Sequence, residues 1–260
     1  MFSRLVRHGR LVLAASSFFA IAGLLPLSLK ADLVAHYKLD ETKGAVHDTG
    51  AAPAVNSTNQ LKEAKDYAQA GPAAGTYGQI TLTDDQAKAI KSIHVAADDG
   101  LNLGSAEKSK LNITGNFTVS AWFKVAKTDG YHMVFATGAG AGSGWKFGVS
   151  EGNFIFTANG VADVSLEGVD VEADKWYHLA VTVEGSSGER KITFYVNGKK
   201  ANTDALTVDD IKDSDAKQMH IGTAENSDET AENLDGNVTD IRLYNTVLSE
   251  KDIAAEAVGK

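Results

Sequence analysis

Two carboxylates placed two positions apart on a strand point to the same side. A glycoside hydrolase uses such a pair as nucleophile and acid/base. Glu172-Ala-Asp174 has the spacing. The third acid of an E-x-D-x-E run is missing, and the segment precedes a strand-like stretch, so it reads as a solvated acidic turn. No G-x-S-x-G elbow marks a serine nucleophile. Gly138–Gly144 lacks both the G-K-[ST] end of a phosphate loop and the G-x-G-x-x-G spacing of a dinucleotide site. The 7 His residues form no H-E-x-x-H. With 0 Cys, thiol catalysis, iron–sulfur clusters, Cys-ligated zinc and disulfides are excluded. Binding chemistry has more to stand on. Carbohydrate recognition needs aromatic rings facing solvent beside polar groups. Trp145, just after the Gly-rich stretch, is the ring best placed to be exposed, with Tyr131, Tyr177 and Tyr244 as lesser ligand-binding candidates and core packing as the competing reading for each.

The chain has 260 residues, 43% of them hydrophobic and 23% charged. That length suits one large sandwich, since all-β domains often run to roughly 200–250 residues. The net charge of −9 argues against a nucleic-acid partner. Residues 1–31 read as a secretory signal: Arg4, Arg7 and Arg10, then an apolar run interrupted by Pro26, then Lys30-Ala31. Cleavage near Ala31 is expected. It leaves a single domain over residues 32–260, exported to the periplasm, cell surface or medium. The signal removes four basic residues and no acids, taking the net charge from −9 to −13. Contact with a membrane is expected only through the signal before cleavage. N-x-Ser/Thr triplets begin at Asn56, Asn112, Asn116 and Asn237.

The elements that must position any site repeat with period two. Phe117–Val125, Trp176–Val183, Lys191–Val196 and Asn237–Tyr244 are rich in aromatic and β-branched residues. Asn197-Gly198 is a tight turn that needs positive φ. Further strands are expected at Leu33–Leu39, Tyr131–Ala136, Trp145–Ser150, Asn153–Ala158 and Met219–Gly222. Thr83-Asp-Asp-Gln86 and Ser249-Glu-Lys-Asp252 have the form of helix starts, and Leu61–Ala70 has weak helical character.

Four segments, in order, resemble the laminin-G-like, concanavalin A-like jelly roll of bacterial type. They are Leu33–Glu41 with His47-Asp-Thr-Gly50, Phe117-Thr-Val-Ser-Ala-Trp122, the Trp176-Tyr-His-Leu-Ala-Val-Thr … Phe194-Tyr-Val-Asn-Gly198 hairpin, and Gly236–Asn245 with Leu248-Ser249. The resemblance implies an all-β, antiparallel two-sheet sandwich with minor short helices, although residues 51–95 depart from the pattern. It places Trp122, Trp176 and His178 in the core. It also implies a structural Ca²⁺ where the first turn meets the last strand, held by Asp48 and Asp240 with Asp40 as a lesser ligand. Thr239 stands where the family usually has Asp. A second acidic cluster, Asp228, Glu229, Glu232 and Asp235, reads as solvated. Gln218-Met-His220 resembles the Q-[IV]-H of alginate lyases, but no Tyr/Lys-rich partner motif accompanies it. A non-enzymatic exported module that binds glycan or an extracellular protein is therefore expected. A glycan-active hydrolase or lyase and a purely structural surface protein are the alternatives.

Overall fold

A computed structural model describes residues 32–96, 99–138, 142–202, 206–224 and 232–258, all within the unit Ala31–Lys260. In chain order its elements are β1 (Leu33–Tyr37), a 3-10 turn (Ala64–Asp66), β2 (Gln69–Ala70), β3 (Gly75–Tyr77), β4 (Ile80–Leu82), α1 (Asp84–Ala89), β5 (Lys91–Val95), β6 (Leu101–Asn102) and β7 (Phe117–Val125). Then come β8 (Tyr131–Ala136), β9 (Trp145–Ser150), β10 (Asn153–Ala158), β11 (Ala162–Asp170), β12 (Tyr177–Ser186) and β13 (Glu189–Val196). β14 (Lys199–Lys200), β15 (Leu206–Val208), β16 (His220–Ile221), β17 (Gly236–Tyr244) and α2 (Glu250–Glu256) complete the chain.

Among the described residues, one sheet has nine strands in the order β14-β13-β12-β7-β17-β5-β2, with β1 also on β17 and β15 on β13. The other has six, β11-β10-β9-β8-β16-β6, and β3-β4 is a separate hairpin. The pairings are antiparallel throughout. The period-two segments behave as their patterns demand. Phe117, Val119, Ala121, Phe123 and Val125 of β7 face the core, as do Leu179, Val181 and Val183 of β12. The Asn197-Gly198 turn takes φ of 52° and 77°, the positive values that this tight hairpin needs.

Trp145 is the first correction. Expected as the exposed ring, it is fully buried and stacks on Phe117 at 4.8 Å and on Phe135 at 5.5 Å. Its indole N–H donates to the Ile113 carbonyl at 3.0 Å. The cause lies in the alternation of β9 itself, which turns Trp145, Phe147 and Val149 inward together. The weak helix at Leu61–Ala70 is also corrected. It is a single 3-10 turn followed by the short strand β2.

The outer face of the nine-stranded sheet is capped. The β3-β4 hairpin, α1 and α2 lie over it, and Ile80, Leu82, Trp122 and Ala257 form a second buried cluster. Tyr77 meets Trp122 edge-on at 5.1 Å, and the Trp122 indole donates to the Ala257 carbonyl at 2.9 Å. Thr83 and Gln86 close a capping box at the start of α1.

Candidate functional site

The predicted metal ligands fall at the junction of β1 and β17. The register of β17 against β7 shifts between Thr239 and Arg242, and Asp240 at this bulge has φ 53°. A bulge re-aims a side chain. Here it brings Asp240 Oδ1 to 2.6 Å from His36 Nε2 and 2.9 Å from Arg242 Nε. Arg242 Nη1 also binds Glu256 of α2, and the Tyr244 hydroxyl donates to the same carboxylate at 2.9 Å. Burial acts to raise the Asp240 pKa, but the His36 hydrogen bond and the Arg242 charge outweigh it and hold the carboxyl below its usual range. Burial likewise opposes the charge on Arg242, and Asp240 beside it restores and raises its basicity.

Asp48 is spent differently. Its Oδ1 accepts from the backbone N–H of His36 at 3.0 Å and Gly50 at 2.8 Å, and its Oδ2 accepts from Val55 N–H at 3.1 Å. Lys110 Nζ lies 2.6 Å from Oδ2, and the carboxylate is fully buried. Asp40 is exposed, on the wall of a cleft of about 450 Å³ that also includes His36, Lys38, Lys91 and Asp240. Ca²⁺ takes six to eight oxygens. As arranged, Asp48 and Asp240 serve backbone donors and protein cations and do not fit it. Among the described residues no three His, Asp or Glu side chains gather around a common point.

His178 lies on this capped face beside Trp122, their rings 5.3 Å apart. It is buried, its Nδ1 has no hydrogen-bond partner, and burial lowers its pKa to about 4. Tyr244 is corrected as a ligand contact. It is 2% exposed beneath α2, and burial pushes its hydroxyl well above the ordinary value. Glu172 and Asp174 are exposed in the turn before β12, where Glu172 pairs with Lys175 at 2.7 Å.

The six-stranded sheet is finished in another way. Tyr131, at the start of β8, is 42% exposed, the one exposed large apolar side chain among the described residues. It pairs with Ser150 of β9, which pairs with Asn153 of β10, which pairs with Asp170 of β11. Directly opposed residues share a face. A ring, an amide and a carboxylate therefore stand in one row across four strands, spanning about 14 Å, with the Ser150 hydroxyl buried between Tyr131 and Asn153 and a bulge of β11 between Leu166 and Asp170 setting the last pair. The row follows from the two-residue turn Glu151-Gly152, with φ 48° and 78°, which sets Ser150 opposite Asn153. Sequence reasoning missed Ser150, Asn153 and Asp170, although the WKFGVS-EG-NFIFTA pattern carries the first two.

Deeper on that face, Lys146 Nζ is 2.6 Å from Glu232 and 5.8 Å from the Tyr131 ring centroid, within cation–π range. Met133, Ala136, Ile155 and Ala224 pack together as a small cluster. His220 of β16 is buried, its Nε2 3.3 Å from Gln218 Oε1. Asp228 and Glu229 lie outside the described residues; Glu232 is held by Lys146, and the Asp235 carbonyl accepts from Ala126 N–H at 2.8 Å.

Two packed antiparallel sheets around one aromatic core define a jelly-roll β-sandwich. The chain belongs to the concanavalin A-like lectin/glucanases superfamily: the Laminin_G_3 family model matches residues 95–254. No curated protein matches the chain. Among solved structures it is similar to domain 4 of AbnA, a GH43 extracellular arabinanase from Geobacillus stearothermophilus, in complex with arabinotriose. The TM-score is 0.52 at 16% identity, over 88% of this chain and 99% of that one. It is also similar to the botulinum neurotoxin serotype D/C VPI 5993 binding domain, with TM-score 0.55 and 13% identity, over 87% of this chain and 52% of that one. A third likeness is to Trypanosoma rangeli sialidase in complex with 2,3-difluoro-KDN, with TM-score 0.53 and 15% identity, over 88% of this chain and 33% of that one. The chain thus spans about half of the neurotoxin binding domain and a third of the sialidase. At these identities the likeness is one of fold.

Proposed function

We propose that this protein is an exported, non-catalytic glycan-binding module whose contact surface is formed by Tyr131, Asn153 and Asp170 on the outer face of the six-stranded sheet, with Ser150 buried in the row between them. The observation that carries the reading is the exposed Tyr131 ring, set in register with hydrogen-bonding side chains. A sugar presents an apolar face of C–H groups and a rim of hydroxyls, and a ring beside an amide and a carboxylate answers both. The superfamily and the arabinotriose-bound domain of like fold support the same ligand class.

The test is depletion of the purified protein onto a panel of insoluble polysaccharides, with Tyr131→Ala alongside and each arm repeated in EDTA. Saturable retention on a glycan, lost in Tyr131→Ala and with no new reducing or unsaturated ends, is the expected result. Retention that Tyr131→Ala does not change overturns the site. Released ends overturn the non-catalytic reading and direct attention to His220 and Gln218, which share this face. Retention lost only in EDTA implicates calcium. Absence of retention leaves an extracellular protein partner or a structural role.

A further inference from the structure

We infer that the Tyr131 row selects uncharged oligosaccharides, laid across the strands, and rejects glycans that carry carboxylates. The inference rests on the glycan reading above and goes on to the class of sugar. β11 forms the far end of the row and reads Ala-Asp-Val-Ser-Leu-Glu-Gly-Val-Asp, with three acids and no cation. Asp163, Glu167 and Asp170 are all exposed, and so is Glu151 in the turn between β9 and β10. The cation over the ring, Lys146, is bound through Nζ to both Glu232 carboxylate oxygens, so its charge is already answered. A uronate or sialic acid carboxylate on this face meets like charge with no free cation among the named groups to receive it. Like charges placed together discriminate strongly between partners.

The neutral groups of the row suit hydroxyls. The Asn153 amide donates to the Glu151 carbonyl at 3.1 Å, which fixes its plane and leaves its oxygen as an acceptor. The Asp170 carboxylate is an acceptor. A sugar hydroxyl donates to either one. The Tyr131 ring covers the C–H face at the opposite end of the row. Acids on an edge strand also blunt pairing with another sheet. That role makes no distinction among glycans, so a binding measurement separates the two.

The experiment is calorimetric titration of the purified protein with probes of matched length: arabinotriose and xylotriose against trigalacturonate, with sialyllactose as a second acidic probe. The wild type is expected to bind at least one neutral probe about ten-fold or more tightly than either acidic one. Raising salt to about 0.5 M should narrow that ratio, because exposed charges are screened. Asp170→Asn should narrow it further at low salt while the melting temperature stays put. Equal or tighter binding of an acidic probe, removed by Tyr131→Ala, overturns the selectivity and leaves the site standing. A ratio that neither salt nor Asp170→Asn moves overturns the electrostatic cause. If no probe of either class binds, the site reading falls and this inference falls with it.

Discussion

The two outer faces of the sandwich are finished with opposite priorities. On the nine-stranded sheet, a charged chain runs from His36 through Asp240 and Arg242 to Glu256 and Tyr244 beneath two short helices, and a neutral histidine is sealed beside Trp122. On the six-stranded sheet, Tyr131 stands in solvent at the head of a polar row. The first face holds groups of strongly displaced proton affinity, Asp240 on the wall of a cleft and His178 fully enclosed. Perturbed titration marks functional sites only when a ligand can reach them, and structural ion networks displace pKa values as well. Substitutions on the capped face should therefore cost stability and spare binding, and substitutions in the row should do the reverse.

The sharpest challenge to that contrast is Asp240→Ala. It leaves His36 and Arg242 facing each other in a nearly buried space and should cost about 3–5 kcal/mol, read as a lower denaturant midpoint. Glycan affinity of the folded fraction should not change. A change in affinity without loss of stability would move the functional site to this face.

Next comes acid. Above pH 6.5 His178 is neutral in both the folded and the unfolded chain. Below 6.5 the unfolded chain takes up a proton that the folded one refuses down to about pH 4. Stability from this group should therefore fall by about 3 kcal/mol between those pH values and level off below. In His178→Phe the slope over that window should be shallower, whatever the absolute stability. Asp240, with its lowered pKa, adds a separate loss that begins as the pH falls into the ordinary carboxylate range, where the unfolded chain takes up a proton that the folded one still refuses.

A smaller step comes from Thr83→Ala, which opens the capping box of α1, part of the cover over the nine-stranded sheet. It should cost about 1 kcal/mol and leave binding untouched. Smallest in stability is Tyr131→Ala, at under about 0.5 kcal/mol by thermal melting, since its ring is half in water. The same substitution should weaken glycan binding about ten-fold or more.

The pattern of alternation explains what was legible in the sequence. β7, β12 and β13 announce themselves because each has an apolar side every second residue, and β17 does so on either side of its bulge at Asp240. β11 went unseen: its AxVxL alternation is diluted by acids and Gly168, as suits an edge strand. Trp145 was misplaced because the Gly-rich neighbour outweighed the period that sends it inward with Phe147 and Val149. Tyr244 was misplaced for a different reason. Its side of β17 faces outward, and only the later return of α2 covers it. That return is a tertiary event with no trace in the strand itself. The family's pattern singles out Asp48 and Asp240 as calcium ligands, and sequence alone does not show that Lys110 pairs with the first and His36 and Arg242 with the second.

β17 lies between β7 on one side and both β1 and β5 on the other. It is also the last strand along the described chain, and Leu33 pairs with Tyr244 across nearly its whole length. During synthesis β1 and β5 thus emerge without their neighbour, and one edge of β7 stays open until residue 244 has appeared. Non-local pairing of this kind closes slowly and leaves unpaired edges exposed in the meantime. Closure of the nine-stranded sheet is therefore tied to the emergence of β17, about 200 residues after β1.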